Sequence, residues 1–301
     1  MTRAGFIGLA GRPNVGKSTL TNAIVGTKVA IVSERPQTTR RAVRGIATSD
    51  DEQWQMVLVD LPGVQRPRDA LTERMQHRVE RELADSDAVV LVIDGAQGVG
   101  PGDRFIAGTL LAAKEGAGTA TPVLCAVNKC DVLDRGQTAA ALTAAAELKG
   151  VEEVFPLSAQ TGAGLEPLVN ALTARLPDGP LLYPSSASSD QASEVHLAEL
   201  IREQVLRRTR EEVPHAVEVA VEEVEVRESG LVEVRAQIWV ETESQKAILI
   251  GKGGSMVRDI GTAARSELER DLEAKVFLDL RVRVREHWRR DESLLDRLEI
   301  R

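Results

Sequence analysis

The chain has 301 residues, 43% hydrophobic and 28% charged, with 38 basic against 46 acidic side chains and a net charge of −8. That length predicts two domains, and the composition excludes disordered, collagen-like and disulfide-framework proteins. An acidic chain does not coat nucleic acid through bulk charge, so any nucleic-acid site must be a local basic patch, and no apolar run approaches the ~20 residues of a membrane helix.

From residue 3 to about 176, short apolar runs alternate with amphipathic stretches. The runs Ala4–Leu9, Gln55–Val59, Ala88–Ile93, Val123–Val127 and Val154–Leu157 read as strands buried on both faces. Lys17–Val25, Asp69–Ala84, Gly102–Lys114, Gln137–Leu148 and Leu165–Leu176 read as helices. Strand–helix alternation predicts an α/β fold with a mostly parallel, doubly covered sheet. The two cysteines, Cys125 and Cys130, sit in or next to one apolar run, which fits reduced thiols in a cytoplasmic protein. The N-terminal stretch is too soon interrupted by glycine to read as a secretory signal.

Pro177, Pro180 and Pro184, with Gly179 and a run of serines, predict a linker. The expected division is a first domain at 1–180, a linker at 181–192 and a smaller α+β domain at 193–301. In that second domain Ser193–Arg210 has helical spacing, and Ala216–Arg227 and Leu231–Val240 alternate as strands across a Ser229-Gly230 turn. A helix follows Gly251-Lys252-Gly253-Gly254 to about Ala274, Val276–Arg285 alternates strictly, and a last helix is expected at Asp291–Leu298. The expected order is α-β-β-α-β.

Gly11-Arg12-Pro13-Asn14-Val15-Gly16-Lys17-Ser18 spells GxxxxGKS between a strand and a helix that continues through Thr19. Glycines there let backbone N–H groups wrap around phosphates, and the helix N-terminus adds positive charge. Lys17 is expected to reach the β- and γ-phosphates and Ser18 to ligate Mg2+. Asp60-Leu61-Pro62-Gly63 ends the next buried run: the acid can hold Mg2+ and the Gly63 N–H can touch a γ-phosphate. Asn128-Lys129-Cys130-Asp131 ends a third run. A carboxylate at Asp131 matches guanine N1–H and N2–H2, which adenine lacks, so an ATPase is disfavoured. Asn128 would brace neighbouring loops, the Lys129 stem would cover the base, and Ala159 of Ser158-Ala159 would offer its N–H to guanine O6. In this order the boxes specify a GTP-binding domain. In the polar stretch Val32–Arg40, a threonine, Thr38 or Thr39, can complete the Mg2+ shell and order with the triphosphate.

The GKGG sequence admits two readings: a plain helix-entry turn, or a loop that admits a sugar-phosphate backbone, with Lys252 adding charge. Residues 242–290 carry eleven Lys/Arg against eight Asp/Glu. Arg258, Arg281 and Arg283 are candidate RNA contacts, with a solvated sheet face the competing account of Arg281 and Arg283. The whole is expected to be a KH-type module for single-stranded RNA.

Taken together, GRPNVGKSTL, PQTTR, DLPG, NKCD and SA, followed by GKGGSMVRDIG, resemble the bacterial Era GTPase family over nearly the whole chain. The resemblance implies a P-loop GTPase domain followed by a type II KH domain. It selects Thr39 over Thr38 as the Mg2+ ligand. It further implies GTP hydrolysis, binding to the 3′ end of small-subunit ribosomal RNA, and a role in assembling the small (30S) ribosomal subunit. Peripheral contact with the inner face of the cell membrane is implied by the family as well. Asn14 resembles a P-loop asparagine that holds K+ in some relatives. Leu61 stands where the family usually has Thr, with little effect expected. Val64 occupies the place where Ras-like GTPases carry a water-orienting glutamine, so slow intrinsic hydrolysis is expected. One set of GTPase boxes and no extra cysteine site argue against a tandem-domain or tRNA-modifying relative. No heptads call for a dimer, and a monomer is expected. A different class of protein, an RNA-binding assembly scaffold that binds nucleotide but barely turns it over, is the main alternative.

Overall fold

The computed structural model describes residues 2–33, 35, 38–64, 69–117 and 121–298. Glu34, Pro36 and Gln37 of the polar loop expected after the P-loop lie outside them. The chain divides into two compact units, one of Met1–Ala30, Thr39–Pro67 and Thr72–Asp190, the other of Ile31–Thr38, Arg68–Leu71 and Gln191–Arg301.

In the first unit the elements run β1 (Arg3–Ala10), α1 (Lys17–Val25), β2 (Val43–Thr48), β3 (Trp54–Asp60), α2 (Ala70–Ala84), β4 (Ala88–Asp94), α3 (Pro101–Ala117), β5 (Val123–Asn128), α4 (Arg135–Ala146), β6 (Val151–Pro156) and α5 (Leu165–Thr173). They form one six-stranded sheet in the order β2-β3-β1-β4-β5-β6. All neighbours are parallel except β2, which pairs antiparallel with β3 at one edge. Successive residues of β4 and β5 enter opposite cores, as strands covered on both faces must. Ala88, Val90 and Val92 join Leu20 of α1 and Leu168 and Leu172 of α5 on one face. Val89, Leu91 and Ile93 meet Ile106 and Leu110 of α3 and Ala141 and Ala145 of α4 on the other.

The register aligns the strand ends that matter. Leu9 stands opposite Asp60, and Asp94 opposite Asn128. The P-loop, the DLPG turn and the NKCD turn therefore emerge at one carboxyl edge of the sheet, where open α/β sheets bind ligands. The stretch expected as a linker is packed as far as residue 190. Gln55, fully buried, accepts the N–H groups of Leu182 and Tyr183 (both 2.8 Å), and Ile46 N–H donates to Ser188 O at 2.8 Å.

The second unit contains α6 (Ser193–Arg208), α7 (Val213–Ala216), β7 (Glu218–Val226), β8 (Val232–Val240), α8 (Glu243–Ile250), α9 (Ser255–Asp271), β9 (Val276–Val284) and α10 (Glu292–Arg297). Its sheet order is β7-β8-β9, with β7 antiparallel and β9 parallel to β8. A parallel β8–β9 pair needs a crossover, supplied by α8 and α9. The core takes Leu197, Leu200, Ile201 and Val205 from α6, Leu249 from α8, and Ile260, Ala264 and Leu268 from α9. Leu278, Leu280, Val282 and Val284 of β9 pack against it. Trp288, fully buried, donates from Nε1 to Ala216 O at 2.9 Å. Helix α8 adds an element to the expected α-β-β-α-β order, as does the short α7. Its start is fixed by a capping box in which Thr242 and Gln245 exchange hydrogen bonds with each other's backbone.

Candidate nucleotide-binding site

The loop between β1 and α1 curls over the Lys17 ammonium, which is 6% exposed and donates to the carbonyls of Gly11 and Arg12, both at 3.1 Å. Burial lowers the Lys17 pKa to about 8, against the opposing attraction of Asp60. Gly16 adopts φ 101°, and a Cβ there would stand 2.2 Å from Asn128 Nδ2, so both its conformation and its space require glycine. Asn14 is left-handed as well, with φ 64°. Thr19 is half-buried in the first turn of α1.

Three oxygen side chains converge beside the loop. Ser18 Oγ donates to Asp60 Oδ2 at 2.6 Å, Ser18 Oγ and Thr39 Oγ1 lie 3.0 Å apart, and Thr39 Oγ1 donates to Asp60 Oδ2 at 3.3 Å. Asp60 is fully buried, and burial raises its carboxyl pKa despite Lys17 and the two hydroxyls. Its Oδ1 is buried with no hydrogen-bond partner. An orphaned carboxylate oxygen within a hard-oxygen set is the environment Mg2+ takes, so Ser18, Thr39 and Asp60 fit that ion. Gly63 follows at van der Waals distance from the loop: a Cβ there would come within 2.7 Å of Pro13 N. Leu61 and Pro62 are buried, and Val64, half-buried, packs against the core while its N–H donates to Gly11 O at 3.4 Å.

At the end of β5, Asn128 is 2% exposed and ties two loops. Its Nδ2 donates to Val15 O and its Oδ1 accepts the Ala159 N–H, both at 2.9 Å. The Ala159 N–H is thereby used as a brace and not held open for a base edge. Ser158 is buried, with its Oγ accepting the Thr161 N–H at 3.2 Å. Lys129, at φ 65°, donates to Asn14 O at 2.9 Å, and Asp131 is exposed in the single turn that follows.

In the second unit Gly251, Gly253 and Gly254 all have positive φ (71°, 61° and 77°) in the loop joining α8 to α9. Lys252 and Gly253 are exposed, and no atom lies within 4 Å of a Cβ placed at Gly253 or Gly254. Arg258 is exposed on α9. Arg281 and Arg283 project from the face of β9 opposite the packed Leu280 and Val282, and Arg281 is held by Asp279 at 2.6 Å. Lys252 lies in the loop and Arg258 in the first turn of α9, while Arg281 and Arg283 lie on the face of β9 away from the core.

Residues 6–129 match the family model described as 50S ribosome-binding GTPase, and residues 212–289 match the KH domain model. GTPase Era of Mycobacterium avium (strain 104) is 46% identical over 299 residues, covering 98% of each chain. GTPase Era of Mycobacterium tuberculosis (strain ATCC 25618 / H37Rv) is 47% identical over the same length and coverage. The chain belongs to the GTPase Era family. A crystal structure of Era with MgGDPNP and nucleotides 1506–1542 of 16S ribosomal RNA superposes with a TM-score of 0.93 at 31% identity, covering 100% of this chain and 99% of that one. An Aquifex aeolicus Era variant bound to GDP.AlF4− gives 0.92 at 31% identity, covering 99% of both. The fold is therefore a P-loop GTPase domain followed by a KH domain, as the sequence implied.

Two acids beside the site, Asp94 and Asp103, were not singled out in the sequence. Asp94 at the end of β4 is 2% exposed, and its Oδ2 accepts Lys129 Nζ at 2.7 Å. Arg12, expected at the nucleotide, donates from Nε to the buried Asp103 at 2.9 Å. The available signal was an acid terminating a fully buried strand, the same signal that marked Asp60.

Proposed function

We propose that the chain is a GTP-hydrolysing switch that binds the 3′ end of small-subunit ribosomal RNA and serves assembly of the 30S subunit. The observation that carries this reading is the convergence of Ser18, Thr39 and the orphaned Asp60 oxygen beside Lys17. Likeness over the full chain to Era bound to MgGDPNP and 16S ribosomal RNA supports the RNA half.

Lys17 and the loop N–H groups bind the phosphates and stabilise negative charge as the γ-phosphoryl group transfers. Ser18, Thr39 and Asp60 would hold Mg2+, which would supply positive charge to offset that of the phosphates. The Gly63 N–H, next to Pro13 of the loop, would contact a γ-phosphate. No side chain at Val64 orients water, so hydrolysis is slow without a partner. Asp131 selects guanine. The potassium reading rests on Asn14 alone.

Thr39 also carries the signal outward. Its neighbour Thr38 belongs to the second unit, where the buried Arg202 of α6 donates to the Thr38 carbonyl. Glu203 accepts the Val32 N–H at 3.0 Å and Arg35 donates to Thr209 O at 3.0 Å. Loss of the γ-phosphate frees Thr39, and the adjoining segment bound to α6 transmits that change to the RNA-binding unit. The GKGG loop, with Lys252 and Arg258, contacts the RNA backbone. Arg281 and Arg283 serve as outlying contacts.

Multiple-turnover phosphate release, with and without ribosomal RNA, tests the reading. Turnover stimulated by RNA supports a switch; binding without turnover in either condition leaves a scaffold. No helix among the described residues is long and apolar enough to cross a membrane. Peripheral contact with the inner face of the membrane is a further part of this proposal, and co-sedimentation with anionic lipid vesicles tests it.

A further inference from the structure

Asp94 is not needed as a carboxylate by its own turn. Its Oδ1 accepts the N–H groups of Ala96 (3.0 Å) and Gln97 (3.3 Å), an arrangement that an asparagine oxygen would satisfy equally. The second oxygen does different work. Oδ2 accepts Lys129 Nζ at 2.7 Å and Gln97 Nε2 at 3.0 Å. A carboxylate side chain only 3% exposed is costly without a cation, and Lys129 is the cation it holds.

The bonds extend from there into the P-loop. Lys129 Nζ also donates to Asn14 O at 2.9 Å. Gln97 Oε1 accepts Arg12 Nη1 at 3.3 Å, Arg12 Nε donates to Asp103 Oδ1 at 2.9 Å, and Asp103 Oδ2 accepts the Gly100 N–H at 2.8 Å. The Gly95 N–H, next to Asp94, donates to Asn128 O at 2.8 Å. The end of β4 and the turn after it are thus bonded to the NKCD turn through Asp94 and Gly95 and to the P-loop through Gln97.

We infer that Asp94 is a positioning residue for guanine-nucleotide binding, fixing the Lys129 side chain as a rigid floor for the base and joining it to the P-loop through Gln97 and Arg12. It acts through Lys129 and does not touch the nucleotide. The inference rests on reading 128–131 as the base-binding turn. Lys129 is left-handed at its backbone, so its stem starts in a set direction, and the Asp94 and Asn14 acceptors fix the far end. A side chain held at both ends loses little freedom when a base settles on it.

The test is a double-mutant cycle on the full chain, reading displacement of fluorescent GDP by GDP in Mg2+. Lys129→Met and Asp94→Asn should each weaken GDP binding about tenfold, the scale of one charge-assisted hydrogen bond. In the Lys129→Met background, Asp94→Asn should change affinity by less than about twofold, and the GTP to xanthosine triphosphate preference should stay as in the wild type because Asp131 is intact. Losses that multiply independently would overturn the positioning role while leaving the base turn in place. An unchanged affinity in Lys129→Met would remove both the inference and the reading of 128–131 beneath it. If Asp94→Asn does not fold, Gln97→Met on its exposed turn removes the second donor to the same oxygen, and its cycle with Lys129→Met reads the same coupling.

Discussion

The nucleotide site and the GKGG loop use glycine for opposite ends. In the P-loop, Gly16 is hemmed in by Asn128, and its neighbours Lys17, Asp60 and Asn128 are buried and committed to fixed partners. In the α8–α9 loop, Gly253 and Gly254 face open space, and Lys252 is exposed. The first region is preorganised: its charges were desolvated on folding, so binding need not order them. The second is an open surface, and its selectivity must come from the strand of RNA laid upon it. Substitutions in the first should act on chemistry and affinity together, and in the second on RNA affinity alone.

The largest expected effect is at Lys17. Lys17→Ala should weaken GTP binding at least ~100-fold, read by calorimetry, because it removes the buried cation that meets the phosphates. Next, Asp131→Asn should shift preference from GTP to xanthosine triphosphate by about 100-fold, since it reverses the hydrogen-bond match to the base edge. On the open side, Gly253→Asp should lower RNA affinity by roughly tenfold at fixed salt and leave GTP affinity untouched. A parallel fall in GTP affinity there would erase the contrast between the regions.

Smaller effects follow from pH and cations. The Lys17 pKa is lowered to about 8 by burial, so without nucleotide the ammonium loses its proton as pH rises through that value. Bound phosphate favours the charged form, so GTP affinity should hold below pH 8 and decline above it, by up to about tenfold per pH unit. The smallest predicted change is a few-fold faster hydrolysis in K+ than in Na+, abolished in Asn14→Ala; equal rates would detach Asn14 from any cation.

What could be read in advance follows the same division. The buried strands β1, β3, β4 and β5 announce themselves as continuous Val, Leu and Ile runs, and the three motifs follow directly from their ends. β2 was missed because Arg44 and Gly45 interrupt its alternation and it pairs at the sheet edge. Helix α8 was missed because its first half, Glu243–Lys246, is polar, and Ala247–Ile250 alone reads only as a short apolar run. The contacts of Asp94 and Arg202 were illegible for a different reason. Asp94 meets a lysine 35 positions on, and Arg202 meets a carbonyl 164 positions back, pairings that only the folded chain creates. Arg281 and Arg283 could be assigned to one face from alternation, but not to the face away from α8 and α9.

In the proposed switch, nucleotide state governs RNA affinity through the segment next to Thr39. The direct measurement is binding of the 3′-terminal segment of small-subunit ribosomal RNA at one fixed salt, with GTP analogue, GDP and no nucleotide, because phosphate contacts make affinity salt-dependent. Affinities should differ between the GTP-analogue and GDP states, with the difference diminished in Arg202→Gln. Equal affinity in all three states would contradict the switch and leave two independent binding modules on one chain.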